Sequence, residues 1–296
     1  QHRFGVKQRN KLLNKGLQPH LLTMTATPIP RTLALTLHGD LDVSQLDELP
    51  PGRTPINTQL ISPKDKNYAY DLIRTEINKG HQIYVVLPLI EESEKLELSA
   101  AVDVHHHLST EIFLDFNVEL LHGKMKSVDK QQVIQNFVNK KCDILVSTTV
   151  IEVGVDVPNA SVMLIEDSDR FGLSQLHQLR GRVGRGASKS YCLLSHQNKN
   201  KLSRQRLEVL VNSNDGFEIS EIDLRFRGPG QILGTKQSGL PDFALASLAD
   251  DADVVELARN EARYILDSDP DLTNNNLLRA LLNEQWKKLK IDNKLN

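Results

Sequence analysis

The chain has 296 residues and only two cysteines, Cys142 and Cys192. Each sits inside an apolar run, "CDILV" and "YCLLS". That scarcity argues against a disulfide framework and for buried free thiols in a reducing cytosol. An excess of one charge is also lacking. The formal net charge is -2, so no global basic signal marks a nucleic-acid partner, and only a locally basic surface stays open. No apolar run approaches the roughly 18 residues of a membrane span, and the first residues are polar rather than signal-like. Internal repeats and low-complexity tracts are missing. So is any G-x-x-x-x-G-K-[ST] phosphate loop: "HGKM" (122–125) lacks both the first glycine and the hydroxyl. The chain opens on Gln1 rather than Met, which reads as a piece of a longer protein.

What is present is ordinary globular composition, 39% hydrophobic and 25% charged, in a length that suits one large or two smaller domains. The rhythm is apolar run, loop, amphipathic segment. The runs are "HLLTMTA" (20–26), "INTQLI" (56–61), "QIYVVLPLI" (82–90), "VELLHG" (118–123), "CDILVSTTV" (142–150), "SVMLIED" (161–167) and "SYCLLSH" (190–196). They are rich in Val, Ile and Leu and mostly unalternating, as strands buried on both faces are. Helices are expected between them. "SVDKQQVIQNFVNK" (127–140) offers a Ser cap and one face of Val133, Ile134, Phe137 and Val138. "PKDKNYAYDLIRTEINKG" (63–80) ends on a glycine stop. Alternating strands and helices predict an α/β fold with a parallel sheet. "DELPPGRTP" (47–55) reads as a hinge or linker. After about 212 the strands cease. A short helix, a Gly/Pro-rich loop and, from 250, a polar helical tail are expected.

Three stretches carry chemistry. In "TMTATPIPRTLA" (23–34), threonines 23, 25 and 27 alternate at a strand end before two prolines. In "VSTTVIEVGVDVPNA" (146–160), hydroxyls follow an apolar strand, and Gly154 and Asp156 sit in a turn before Pro158. The carboxyl ends of an open parallel sheet are where ligands bind. There the acid suits a ribose hydroxyl and the threonines a phosphate backbone. In "QLHQLRGRVGRG" (175–186), Arg182 and Arg185 are spaced to aim two guanidiniums alike on a helix or tight turn. Forked cations on a thin, glycine-rich backbone suit a phosphate. "VMLIEDSD" (162–169) imitates a metal-holding strand end, yet no phosphate loop precedes it, so Glu166 and Asp167 read as a polar strand end. His105, His106 and His107 are consecutive and cannot share one helix face, which favours a solvated helix over a metal site.

Together these stretches resemble the second half of a superfamily-2 helicase. "TATPIPRTLA" resembles motif III, "QIYVVLPLIEESE" motif IV, "STTVIEVGVDVP" motif V and "QLHQLRGRVGRG" motif VI. "FRGPGQILGTKQSG" (226–239) resembles a translocation motif, although Gln231 and Lys236 depart from its usual acid and arginine. "LDELPPGRTPI" and "PLIEESEKLELSAA" point to the RecG family of fork and junction helicases. "QHRFGV" looks like the continuation of a D-E-Q-H box.

The resemblance implies a remnant of motor domain one (1–49) and a RecA-like second motor domain with helices on both sheet faces (50–212). A translocation hairpin and loop (213–245) and C-terminal helices (246–296) follow. It implies a cytoplasmic, ATP- and Mg2+-dependent DNA helicase acting on branched or forked duplex. The Walker lysine, the metal-holding acids and a wedge domain would lie outside this chain, which alone would not be catalytically competent, and no metal ligand is assigned within it. Arg182, Arg185 and Gln178 take catalytic roles, and Gly154 and Asp156 approach the nucleotide. Thr148, Thr149 and Arg227 approach DNA. Thr25, Ala26, Thr27 and Gln237 couple nucleotide state to motion. A transcription-repair coupling translocase and a non-catalytic nucleic-acid-binding relic are the alternatives.

Overall fold

The computed structural model describes residues 11–12, 15, 20, 22, 24–25, 28, 44–48, 53–88, 94–148, 156–186, 188–197, 200–227 and 252–292, without the side chains of 94–97, 227, 252 and 285–292. Those within Gln1–Pro28 and Glu48–Ile219 form one compact unit, and those within Ile29–Asp47 and Ser220–Asn296 a second.

The first unit is built on six strands: β1 (Asn57–Ile61), β2 (Gln82–Val86), β3 (Val118–Leu121), β4 (Ile144–Ser147), β5 (Ala160–Ile165) and β6 (Tyr191–Ser195). All pair in parallel, in the order β1-β6-β5-β2-β4-β3. Five fall inside the apolar runs, and β5 starts one residue before its run, at Ala160. The unalternating composition follows from position. Every residue of β2, β4 and β5 is buried, whereas the edge strands β1 and β3 are only partly so. Of the first run, 20–26, the described residues 20, 22, 24 and 25 are not in a strand, and the others lie outside the described set.

Helices cover both faces: α1 (Lys66–Asn78), α2 (Glu94–His107), α3 (Ser127–Val138), α4 (Leu173–Arg180) and α5 (Lys201–Asn212). Successive strand residues point to opposite sides. Ile83, Val85, Val162 and Leu164 pack with Ala69, Ile73 and Ile77 of α1. Tyr84, Val86, Met163 and Ile165 pack with Phe137 of α3, Leu173, Leu176 and Leu179 of α4, and Leu207 and Leu210 of α5. Helix α1 stops as expected, at Gly80 with φ +84, a left-handed conformation that a side chain disfavours.

Helix α3 differs from expectation in two details. Lys126 is its N-cap and makes no side-chain cap, while Ser127 is already the first helical residue. Val138 is 43% exposed, because it follows buried Phe137 by one residue, about 100° around the helix. The histidine run ends α2. His106 and His107 are exposed as expected, but His105 is half-buried, with Nε2 3.1 Å from the Val118 carbonyl. Cys142 and Cys192 are free and buried, and burial pushes both thiols up to about 12.

Helix α6 (Gly216–Arg227) begins in the first unit and supplies the expected short helix. The second unit adds the helical tail, α7 (Ala252–Ser268) and α8 (Asn276–Asp292). Their connection winds around the Asp269 carboxylate. It accepts from the Thr273 and Asn274 amides, both at 2.8 Å, from the Thr273 hydroxyl at 2.9 Å and from Asn275 Nδ2 at 3.1 Å. Among the described residues no helix is long and apolar enough to cross a membrane.

Candidate nucleotide-phosphate site

The arginine stretch leaves helix α4 before its outer cations begin. Leu173, Leu176, Leu179 and Arg180 are buried, and the helix ends at Gly181. Turn bonds follow, Arg182 N–H to Leu179 O at 2.9 Å and Val183 N–H to Arg180 O at 3.2 Å. Val183 is fully buried and pins the turn, so Arg182 and Arg185 project from a turn rather than a helix face.

Two of its three glycines are demanded by neighbours. Gly184 has φ +74, and a Cβ there would lie 2.9 Å from Ile56 Cγ1. A Cβ on Gly186 would lie 2.6 Å from the Pro158 carbonyl oxygen, so the motif VI backbone rests directly on the motif V segment. A Cβ on Gly181 would come no closer than 3.4 Å to any neighbour.

Arg185 Nη1 donates to Asp156 Oδ1 at 2.9 Å, and its Nε donates to the Gly181 carbonyl at 3.1 Å. The Asp156 side chain is 66% exposed and that of Arg185 28%. A pair this wet is worth at most about 1 kcal/mol. Asp156, expected on the ribose side, is the arginine's partner here. Gln178 is half-buried on α4. Thr148, expected toward DNA, is buried at the end of β4. Its amide donates to Leu121 O at 3.3 Å, and its hydroxyl has no hydrogen-bond partner among the described residues. Thr25 is exposed, and Arg227 ends α6. Gly154, Thr149, Ala26, Thr27 and Gln237 lie outside the described residues, as does the loop from 228 to 239.

Glu166 and Asp167 fit a polar strand end. The Glu166 carboxylate pairs with Lys66 Nζ at 3.3 Å and accepts from the Ser195 hydroxyl at 2.7 Å. Asp167 takes a left-handed φ of 45°, and burial, with Glu166 and Asp169 nearby, raises its carboxyl. Among the described residues no three His, Cys, Asp or Glu side chains gather as a metal site would require.

Arg180 and His177, to which the motifs assign no role, hold the structure behind the turn. Arg180 is 2% exposed. Its Nη1 donates to the carbonyls of Leu210 at 2.8 Å and Ser213 at 2.7 Å, the otherwise open C-terminal end of α5. Its Nη2 lies 2.9 Å from His177 Nδ1. Arginine only donates, so Nδ1 is the acceptor and the neutral ring carries its proton on Nε2. A Cβ on Gly216 would lie 2.7 Å from that Nε2, so α6 begins against the imidazole. The heptad spacing of Leu173, Leu176 and Arg180 was the available signal, since it places the arginine on the buried stripe.

Burial and, next, Arg180 push His177 down to about 4, against a smaller opposing effect of Asp215. The folded pKa lies below the unfolded value of 6.5, so the fold favours the neutral ring. Its contribution is full above about pH 6.5 and is lost as pH falls toward 4, at roughly 1.4 kcal/mol per pH unit. Melting curves between pH 7 and 4.5 should therefore fall more steeply for the native sequence than for His177→Asn. Parallel profiles would refute a buried neutral histidine.

Comparison with known proteins gives the family and the fold. Residues 65–187 match the helicase conserved C-terminal domain. Residues 213–295 match the C-terminal part of domain 3 of the ATP-dependent DNA helicase RecG. The RecG helicase of Synechocystis sp. is 60% identical over 98% of this chain and 35% of its own length. That of Bacillus subtilis is 51% identical over 91% of this chain and 39% of its own. A solved structure of RecG bound to a three-way DNA junction superposes with a TM-score of 0.66 at 44% identity, covering 86% of this chain and 32% of that one. The chain thus spans a little over a third of the curated relatives it matches. The parallel sheet with helices on both faces is the RecA-like motor fold of these helicases. The chain belongs to the RecG family, of which it carries the conserved helicase C-terminal domain and the C-terminal part of domain 3.

Proposed function

We propose that these residues are the second motor domain and translocation element of an ATP-dependent DNA helicase that remodels forked and junction DNA in the bacterial cytoplasm. The observation that carries this is the motif VI turn. It presents Arg185 beside the segments that lead into β5 and β6, held by a pair with Asp156 whose carboxylate is two-thirds exposed and by one bond to the Gly181 carbonyl. Exchanging that partner for a γ-phosphate costs little, whereas cations meeting the charge of phosphoryl transfer gain far more. The arginines therefore fit one side of an ATP site, with Gln178 beside them. The chain has no phosphate loop, so the rest of the nucleotide is assigned to an upstream motor domain. Magnesium, which neutralises charge on the β- and γ-phosphates, finds no fitting cluster among the described residues, and its ligands belong upstream as well. DNA lies along the motif V threonines, Thr148 and Thr149, and meets Arg227. The family match over 213–295 favours this reading over a transcription-repair coupling motor.

The test is to measure ATP turnover and fork unwinding on the same preparations of the intact protein. Arg227→Ala or Gln237→Ala should keep a substantial fraction of DNA-stimulated turnover while unwinding falls much more steeply. Within the segment 225–239, expected as a loop, Arg225, Phe226 and Arg227 close helix α6, and the remainder carries apolar Ile232 and Leu233, which a purely flexible linker has no need of. Equal loss in both assays would place these residues in the nucleotide site or the fold. No loss in either would make the segment a linker, and a protein that unwinds no fork would end the helicase reading.

A further inference from the structure

Arg53 lies just ahead of β1, at the end of the stretch that reads as a hinge or linker, and is half-buried. Its Nη2 donates to the Gly181 carbonyl at 3.5 Å, across 128 positions of the chain. The same carbonyl accepts from Arg185 Nε at 3.1 Å. A carbonyl oxygen has two lone pairs and can serve both donors. The bond from Arg53 is long, yet the segment that carries it is pinned. A Cβ on Gly184 would lie 2.9 Å from Ile56 Cγ1, and the Asn57 amide donates to the Ser190 carbonyl at 2.9 Å. Residues 53–57 thus touch the motif VI turn at Gly181 and Gly184 and the chain beyond it at Ser190. Gly181 is a soft joint at the base of this turn. It ends α4 with φ -66 and ψ -3, which any residue adopts, and a Cβ there would meet nothing closer than 3.4 Å. Without a side chain its peptide plane turns easily, so the direction of its carbonyl depends on what bonds to it.

We propose that Arg53 is a positioning residue for Arg185: by holding the Gly181 carbonyl, it fixes the acceptor about which the Arg185 guanidinium turns from Asp156 to a phosphate. The inference rests on the phosphate role of Arg185 proposed above. Arg185 uses Nη1 for Asp156 and Nε for Gly181. The first bond is the one exchanged. The second persists and sets the aim of the fork. Aim matters because a cation stabilises transferring charge only from the right distance and direction, and about 1 Å of misplacement can cost 10²-fold in rate. Arg53 stays on the carbonyl in both states. Its task asks for one donor with the right reach, not for a fork around two oxygens.

The experiment uses the intact protein with Arg53→Ala, Arg53→Lys, Arg185→Ala and the double alanine variant, each assayed for ATP turnover with DNA and for melting without nucleotide. Arg53→Ala should lower kcat roughly three- to tenfold, the factor of one net hydrogen bond, with KM for ATP within about twofold. Its melting temperature should stay within about 5 °C of the native value, because a single half-buried bond is at stake. Lysine should recover part of the lost turnover, since an ammonium can also donate to one carbonyl. In the Arg185→Ala background, Arg53→Ala should add no further loss, because no finger is left to aim. Unchanged kcat in Arg53→Ala while Arg185→Ala is impaired would overturn this inference alone. So would a loss as great as that of Arg185→Ala, which would make Arg53 a phosphate ligand in its own right. A lysine variant no better than alanine, or an equal further loss in the double variant, would overturn it too. A larger fall in melting temperature would make Arg53 a clamp of the fold instead. Normal turnover by Arg185→Ala would overturn the functional reading, and the role of Arg53 with it.

Discussion

Arg185→Ala or Arg182→Ala in the intact protein is expected to cut DNA-dependent ATP turnover by roughly 10³–10⁵, the range that arginine fingers contribute, while DNA affinity changes little. The magnitudes separate this from a structural effect. The resting partner of Arg185 is a carboxylate that is two-thirds exposed, and losing that pair costs at most about 1 kcal/mol of stability. A loss of 10³ in rate corresponds to about 4 kcal/mol, so turnover should collapse in a protein that still melts normally. Lysine at either position should rescue poorly, because a point charge cannot fork around two phosphate oxygens. Steady-state turnover, filter binding to forked DNA and a melting curve on each variant make the comparison. Normal hydrolysis by both alanine variants would remove the arginines from the nucleotide site.

Arg180→Ala should show the opposite profile. It lies only two residues from Arg182, yet its guanidinium is buried and occupied by two carbonyls and His177. Truncation leaves the Leu210 and Ser213 carbonyls without their donor, at about 1–3 kcal/mol each where they stay dry, and opens a cavity besides. A total loss of about 3 kcal/mol or more is expected. That corresponds to a fall in melting temperature of roughly 6–12 °C for a unit of this size. Lysine should recover only part of it, since one ammonium cannot reproduce the planar fork that reaches both carbonyls and the imidazole. Thermal melting of the variants decides the matter. A native-like melt for Arg180→Ala would show that the end of α5 is satisfied by other means. Of the three arginines within six residues, one holds the fold, and the other two stand on the turn that we propose meets the phosphate.

Much of this molecule is determined by the sequence alone, because the relevant physics is short in range. Six apolar runs became six strands. The unalternating runs 82–86, 144–147 and 160–165 became interior strands, as burial on both faces requires. The glycine at 80 ended its helix through a local dihedral preference. The motif spacings named the family that the comparisons found. Even a local feature failed where two local signals competed. Ser127 looked like the cap, yet it is already the first helical residue and Lys126 stands at the cap.

What the tertiary structure decided concerns pairs far apart in the chain. The strand order β1-β6-β5-β2-β4-β3 sets β5 between β2 and β6. That order lets Asp156, just ahead of β5, meet Arg185, just ahead of β6, across 29 positions. No periodicity encodes that meeting. The same crossovers carried Arg180 onto the end of α5. Side-chain spacing specifies which face of an element is apolar. Which neighbour covers that face, and which polar atom lies opposite, is settled only when the layers pack.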